Sequence, residues 1–264
     1  MNRTAEPART VLSVEGVSVQ FGGLVALSDL NLNVREGEVA SLIGPNGAGK
    51  TTAFNVITGF LRPTNGSVHY NGVPLNSLRP NQIAGLGVIR TFQKTSVFGG
   101  IPVFENILIG LHRRAQVGLW EILLARSKVR TEEKRLRRLA MEILDFVGLT
   151  RRRDDLGSAL PYGDQRLLEV AVAMAANPSL LLLDEPVSGM NPSETANFME
   201  MVGKIRQRGI TILLVEHDMR MVMGVSDRVV VLNQGKIIAE GAPDEIQRNP
   251  EVIRAYLGHG VKSA

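Results

Sequence analysis

No cysteine occurs in the 264 residues, which excludes a disulfide framework and a thiolate metal site and agrees with a reducing compartment. No run approaches the roughly 18 apolar residues that a membrane span needs. The N-terminal stretch MNRTAEPARTVLSVEG lacks the apolar centre of a secretory signal. A soluble protein is expected, whose membrane role, if any, needs a partner. Nor are the basic residues spread along a groove, as a nucleic-acid binder would want. Between Arg113 and Arg138 nine Lys/Arg face three Glu, a local +6 within a net charge of +4, so the remainder stands at −2. The excess falls in one helical insert and reads as a solvated face or a docking surface.

What is present is globular: 44% hydrophobic and 21% charged, a length suited to one large domain with an embedded subdomain. Val17, Val19 and Phe21, then Leu30, Leu32 and Val34, alternate as half-buried strands do. Val39–Ile43 is a short apolar run fit for a central strand covered on both sides. A Gly-rich loop and a helix from Lys50 to about Phe60 follow. Asn71-Gly72 marks a hairpin, and so does Asn233-Gln-Gly235 between two apolar runs. Leu180–Leu183 and Ile212–Val215 each follow a helical stretch, as βαβ units require. From Pro102 to Pro178 the pattern is helical. The expected fold is therefore an α/β P-loop NTPase core with a mostly parallel sheet and an antiparallel β subdomain. Residues of about 10–100 and 179–264 make that core, and a helical subdomain of about 101–178 is inserted in it.

The chemistry is concentrated in two places. Gly44-Pro45-Asn46-Gly47-Ala48-Gly49-Lys50-Thr51 satisfies G-x-x-x-x-G-K-[ST] between a buried strand and a helix. Its backbone amides suit phosphate oxygens, Lys50 the β- and γ-phosphates, and the Thr51 hydroxyl Mg²⁺. Leu181–Asp184 is a buried strand followed by Glu185; Asp184 would steady Mg²⁺ through water, leaving Glu185 to orient or deprotonate a water. Gln93, His217 and Phe21 taken singly read as a loop residue, a structural histidine and a core aromatic. Met219, Met221 and Met223 read as helix packing. In LPYGDQRLLEVAVAM, Leu160–Met174, the plain expectation is a buried helix capped by Asp164.

In this order and spacing the chain resembles the ATP-binding subunits of ABC transporters over nearly its whole length. The resemblance places Gly44–Thr51, with Thr52, in the Walker A loop, Gln93 in the Q-loop and Leu181–Glu185 in Walker B with its catalytic glutamate. Ser188-Gly-Met-Asn191 falls at the D-loop, His217 at the switch histidine and Phe21 at the aromatic that stacks on adenine. It implies ATP and Mg²⁺, with Gln93 serving both metal and catalysis. Leu160–Gln165 falls where the family has L-S-G-G-Q. Pro161 there has neither hydroxyl nor N–H and Tyr162 replaces the first glycine, which leaves the Gly163 amide as a reduced clamp for a partner subunit's nucleotide.

Tyr162–Gln165, Glu216–Met219 and PEVIRAYLG, Pro250–Gly258, are similar to the ATPases of branched-chain amino-acid importers. That branch implies a second, non-identical ATPase subunit, two integral membrane permease subunits and, indirectly, a substrate-binding protein, with no nucleic acid. It implies attachment to the cytoplasmic face of the cell membrane through the permeases, and cargo such as branched-chain amino acids or related small polar solutes. Val97, Phe98, Ile101 and Phe104 are expected to line a groove for a permease helix. The alternative is a soluble ABC-type ATPase acting on nucleic acid or ribosomes, but such proteins carry long coiled-coil insertions or two cores. A GTPase would need N-K-x-D, which does not occur, and a kinase would leave Gln93, Asn191 and His217 without roles.

Overall fold

The apolar run Val39–Ile43 forms β3 with all five residues buried. Ala40 and Leu42 enter one core cluster and Ile43 another, so the strand is covered on both faces. The structure, a computed structural model, describes residues 9–91, 97–112 and 126–257. Two units divide the chain: Met1–Arg90, Ser179–Ser188 and Thr195–Ala264 form one, Thr91–Pro178 and Gly189–Glu194 the other.

The first unit holds two sheets. One is antiparallel, with β1 Thr10–Phe21, β2 Leu24–Arg35, β4 Asn65–Tyr70 and β5 Val73–Pro74 in the order β2-β1-β4-β5. The other adds β6 Val88–Arg90, β7 Leu180–Asp184, β8 Thr211–Val215, β9 Arg228–Asn233 and β10 Lys236–Gly241, in the order β10-β9-β3-β8-β7-β6. Its strands run parallel except β10, which pairs antiparallel with β9. Both expected hairpins form. Asn71 and Gly72 have φ 49° and 79°, and Gln234 and Gly235 have 47° and 78°. Two consecutive positive φ values give the turn whose twist matches the flanking strands.

α1 Lys50–Ile57 ends short of the expected Phe60. Thr58 turns its hydroxyl back onto the Phe54 carbonyl at 2.6 Å, and Gly59 follows at φ 74°, so the helical ladder stops there. α2 Pro80–Gly85 leads into β6, which ends at Arg90.

The second unit packs α3 Val103–Leu111, α4 Arg126–Val147 and α5 Tyr162–Ala175. Gly110 lets α3 meet α5 closely: a Cβ there would stand 2.8 Å from the Val172 carbonyl oxygen. On α4 the basic residues pair along the helix surface, Arg135 with Glu132, Arg137 with Glu133 and Arg138 with Glu142. Such pairing is what a solvated face does with its charge. α6 Pro192–Gln207 follows, and the first unit closes with α7 Met219–Val225, α8 Pro243–Arg248 and α9 Pro250–Leu257. Of the three methionines near α7, Met221 is fully buried. Met219 is partly buried against the cluster of Ile43, Val222 and Ile246, and with Met223 it also lines an apolar groove of about 780 Å³ beside Met199 and Tyr256, so packing accounts for Met221 and Met219 and leaves Met223 at the groove.

Candidate active site

The loop from β3 to α1 owes its course to glycine. Gly44, Gly47 and Gly49 have φ 152°, 79° and 108°. A Cβ on Gly44 would fall 2.0 Å from the Leu232 carbonyl oxygen, and one on Gly49 2.7 Å from that of Ala26. Lys50, the first residue of α1, is buried, and its ammonium donates to the Gly44 carbonyl at 2.6 Å and the Pro45 carbonyl at 3.1 Å. Burial lowers its pKa, and the charges of Glu185 and Asp184 act the other way. The two carboxylates are therefore near enough to be felt at Lys50.

Around this loop lies a cleft of about 360 Å³. Asn46, Gly47, Ala48, Gly49, Lys50, Thr51 and Thr52 form one wall; Phe21, Leu24 and Val25 form another, and Glu185 reaches in. Phe21 is 51% exposed, an aromatic face open to solvent where a core residue would be covered. The cleft thus offers an apolar platform, amides at a helix N-terminus, one ammonium and a carboxylate, a set suited to a nucleoside triphosphate. Mg²⁺ fits the same donor set, because it is held by one or two carboxylates and substrate phosphates rather than by a protein cage. Thr51 and Asp184 supply hard oxygens, and no group of three His, Cys, Asp or Glu able to hold a metal occurs among the described residues.

β7 ends at Asp184, which is buried and accepts from Arg90 at 2.6 Å. Arg90 is otherwise tied to α1: it donates to Asn55 at 2.7 Å, and its guanidinium lies 5.4 Å from the centre of the Phe54 ring. Sequence reasoning gave Asp184 to the metal alone and missed Arg90. Glu185 adopts φ 47°, a left-handed conformation rare for a residue with a Cβ, and its amide donates to the Val215 carbonyl at 2.8 Å. His217 follows β8, and its Nδ1 stands 3.9 Å from Glu185 and 3.6 Å from Glu216. Glu185 and His217 are thus brought together, as their positions after neighbouring strands β7 and β8 require. Gln93 lies outside the described residues.

In the second unit the Leu160–Gln165 segment departs from expectation. α5 begins at Tyr162 with Pro161 as its cap residue and no side-chain cap, so Asp164 is the third residue of the first turn. Its carboxylate pairs with Arg152 at 3.0 Å instead of capping. Gly163 is buried against Glu194, and a Cβ on it would meet that side chain at 3.0 Å. Tyr162 accepts from Arg166 at 2.6 Å. Asn191, assigned to the D-loop, accepts from the amides of Ser193 and Glu194 while Glu194 accepts from the Asn191 amide, a reciprocal cap for α6.

The apolar loop before α3 splits. Phe98 is 56% exposed, whereas Val97 and Ile101 are half-buried and Phe104 lies under the Arg137 guanidinium at 5.8 Å. Buried Asn106 holds the loop, accepting from the Phe98 amide at 2.8 Å and donating to the Phe98 and Pro102 carbonyls.

Comparison with known proteins agrees with this geometry. Residues 27–188 match the family model described as ABC transporter, and residues 236–262 that described as Branched-chain amino acid ATP-binding cassette transporter. The chain is 45% identical over 252 residues to the high-affinity branched-chain amino acid transport ATP-binding protein LivG of Salmonella typhimurium, covering 95% of this chain and 99% of that protein. It is 42% identical to the corresponding protein BraF of Pseudomonas aeruginosa, again with 95% and 99% covered. Its fold superposes with a TM-score of 0.83 on the ADP conformation of an ATP-binding cassette of an ABC transporter, at 31% identity over 95% of this chain and 99% of that one. With the Lys50 loop and Glu185 facing one cleft and relatives of this similarity along nearly its whole length, the chain belongs to the ABC transporter family and is an ATPase of that family.

Proposed function

We propose that the chain is the ATP-hydrolysing subunit of an importer for branched-chain amino acids or related small polar solutes. It works at the cytoplasmic face of the cell membrane with a second, non-identical ATPase subunit, two permease subunits and a separate substrate-binding protein. One observation carries the enzymatic part: Lys50 and Glu185 line the same cleft, which also holds the exposed face of Phe21. The cargo class rests on the 45% identity to a branched-chain amino acid transport ATP-binding protein.

In this reading Phe21 stacks on adenine, the loop amides of Gly44–Gly49 cradle the phosphates, and Lys50 leaves its two carbonyl partners for the β- and γ-phosphates. Thr51, Asp184 and Gln93 are the residues that would hold Mg²⁺, which when bound would supply positive charge to the phosphates. Glu185 takes the proton of a water aimed at the γ-phosphate, and His217 stabilises charge that develops on it. The Gly163 amide at the start of α5 clamps the nucleotide of the partner subunit. Phe98, exposed before α3, meets a permease helix.

The test is Glu185→Gln in the assembled transporter. ATP binding should persist while turnover falls by roughly 10²-fold, since the amide keeps shape and loses basicity. Wild-type turnover would remove Glu185 from the role. Uptake of labelled leucine, isoleucine and valine against a panel of other amino acids and amides decides the cargo.

A further inference from the structure

Glu216 is a buried strand-end carboxylate to which the mechanism above gives no part. It is 0% exposed, at the point where β8 gives way to His217. Its two oxygens accept from three backbone amides. Oε1 takes Val187 N–H at 3.0 Å; Oε2 takes His217 N–H at 2.7 Å and Asp218 N–H at 3.0 Å. Val187 lies two residues beyond Glu185, and the imidazole Nδ1 of His217 lies 3.6 Å from the same Oε2. One side chain thus ties the loop that carries Glu185 to the loop that carries His217.

We propose that Glu216 is a positioning residue for ATP hydrolysis, a buried clamp that fixes Glu185 and His217 against each other. The proposal rests on the roles given above to those two residues. Helix capping does not account for Glu216, because Asp218 already caps α7 by accepting from Met221 N–H at 3.0 Å. Nor does general core support, because a core position would take an apolar side chain, whereas three converging donors demand a group that only accepts. The clamp matters because Glu185 sits at φ 47°, a conformation that its surroundings must hold in place. The Glu185 amide is fixed to Val215, next to Glu216, and Val187 is fixed to Glu216 itself, so the turn around Glu185 is pinned on both sides. A carboxylate can satisfy both loops at once. An amide of the same size cannot, since its NH₂ must face one of the N–H donors and push that loop away.

The test is Glu216→Gln in the assembled transporter, beside Glu185→Gln, His217→Ala and the double variant Glu216→Gln/His217→Ala. The single Glu216 variant should bind ATP with unchanged affinity and turn it over about 10- to 10²-fold more slowly, the scale of a misplacement near 1 Å. Adding Glu216→Gln to His217→Ala should slow the residual rate clearly less than Glu216→Gln slows the wild type, because the part of the clamp that acts through His217 is already removed and only the part that holds Glu185 remains. Glu216→Thr, which keeps an acceptor near the His217 amide and cannot reach Val187, should show the same loss and covers the case in which Gln does not fold. Turnover unchanged in both folded variants, a loss that multiplies in full with His217→Ala, or failure of both to fold would each overturn the proposal. If Glu185→Gln and His217→Ala keep full turnover, the catalytic reading fails first, and that result is distinct from any of these.

Discussion

The Arg90 guanidinium stands 2.6 Å from the Asp184 carboxylate, with side-chain exposures of 7% and 5%. The pair joins β6 to β7, and the contacts of Arg90 with Asn55 and Phe54 extend it to the helix that starts at Lys50. One cation therefore connects the expected metal ligand with the helix proposed to bind phosphate. Arg90→Met should cost about 3–5 kcal/mol, the usual result of removing one partner from a buried ion pair. Urea unfolding checks the loss, and Mg²⁺ with nucleotide should restore a larger share of stability in the variant than in the wild type.

Lys50 makes stability depend on pH at the alkaline end. Burial holds its folded pKa below the ordinary lysine value of about 10.4, so between the two values the unfolded chain binds more protons than the folded one. The contribution is full above the ordinary value and is lost as pH falls through the lowered folded one. Unfolding free energy of the nucleotide-free protein should thus rise with pH in that window, and Lys50→Met should lack this component. Urea titrations from about pH 8 to about 10.5 on both proteins measure the difference.

Gly44→Ala tests the loop backbone. The new Cβ would sit 2.0 Å from the Leu232 carbonyl oxygen, so either β9 or the loop must move. We expect a loss of about 1–3 kcal/mol, with ATP affinity falling along with it. Nucleotide titration monitored by fluorescence, together with thermal unfolding, reads both.

Phe98→Asp addresses the proposed permease contact. The side chain is 56% exposed and Asn106 holds the loop through its backbone, so stability should change by less than about 0.5 kcal/mol. Co-purification with the permeases should nevertheless fail. Normal recovery of the complex would count against this surface.

The parts read from sequence are those fixed by short, local rules. The Gly44–Thr51 loop, both hairpins and the strand ending at Asp184 each follow from a few consecutive residues. Asp164 was misassigned because a cap depends on where the helix starts, and Pro161, unable to cap, nonetheless takes that place. Arg90 was invisible because its partner lies 94 residues away. Glu216 looked like one charge among three in Glu216-His217-Asp218, although a signal was there: an apolar strand running straight into a carboxylate, as at Asp184. Asn191 shows the opposite case, in which the cap explains the residue locally and the D-loop assignment adds a second duty to it.

The left-handed backbone at Glu185 sets selection for activity against selection for robustness. Such a conformation costs on the order of 1–3 kcal/mol in a residue with a Cβ. Glycine would relieve it at once, so a single codon change leads to a sturdier chain which, on the role proposed for Glu185, no longer turns over ATP.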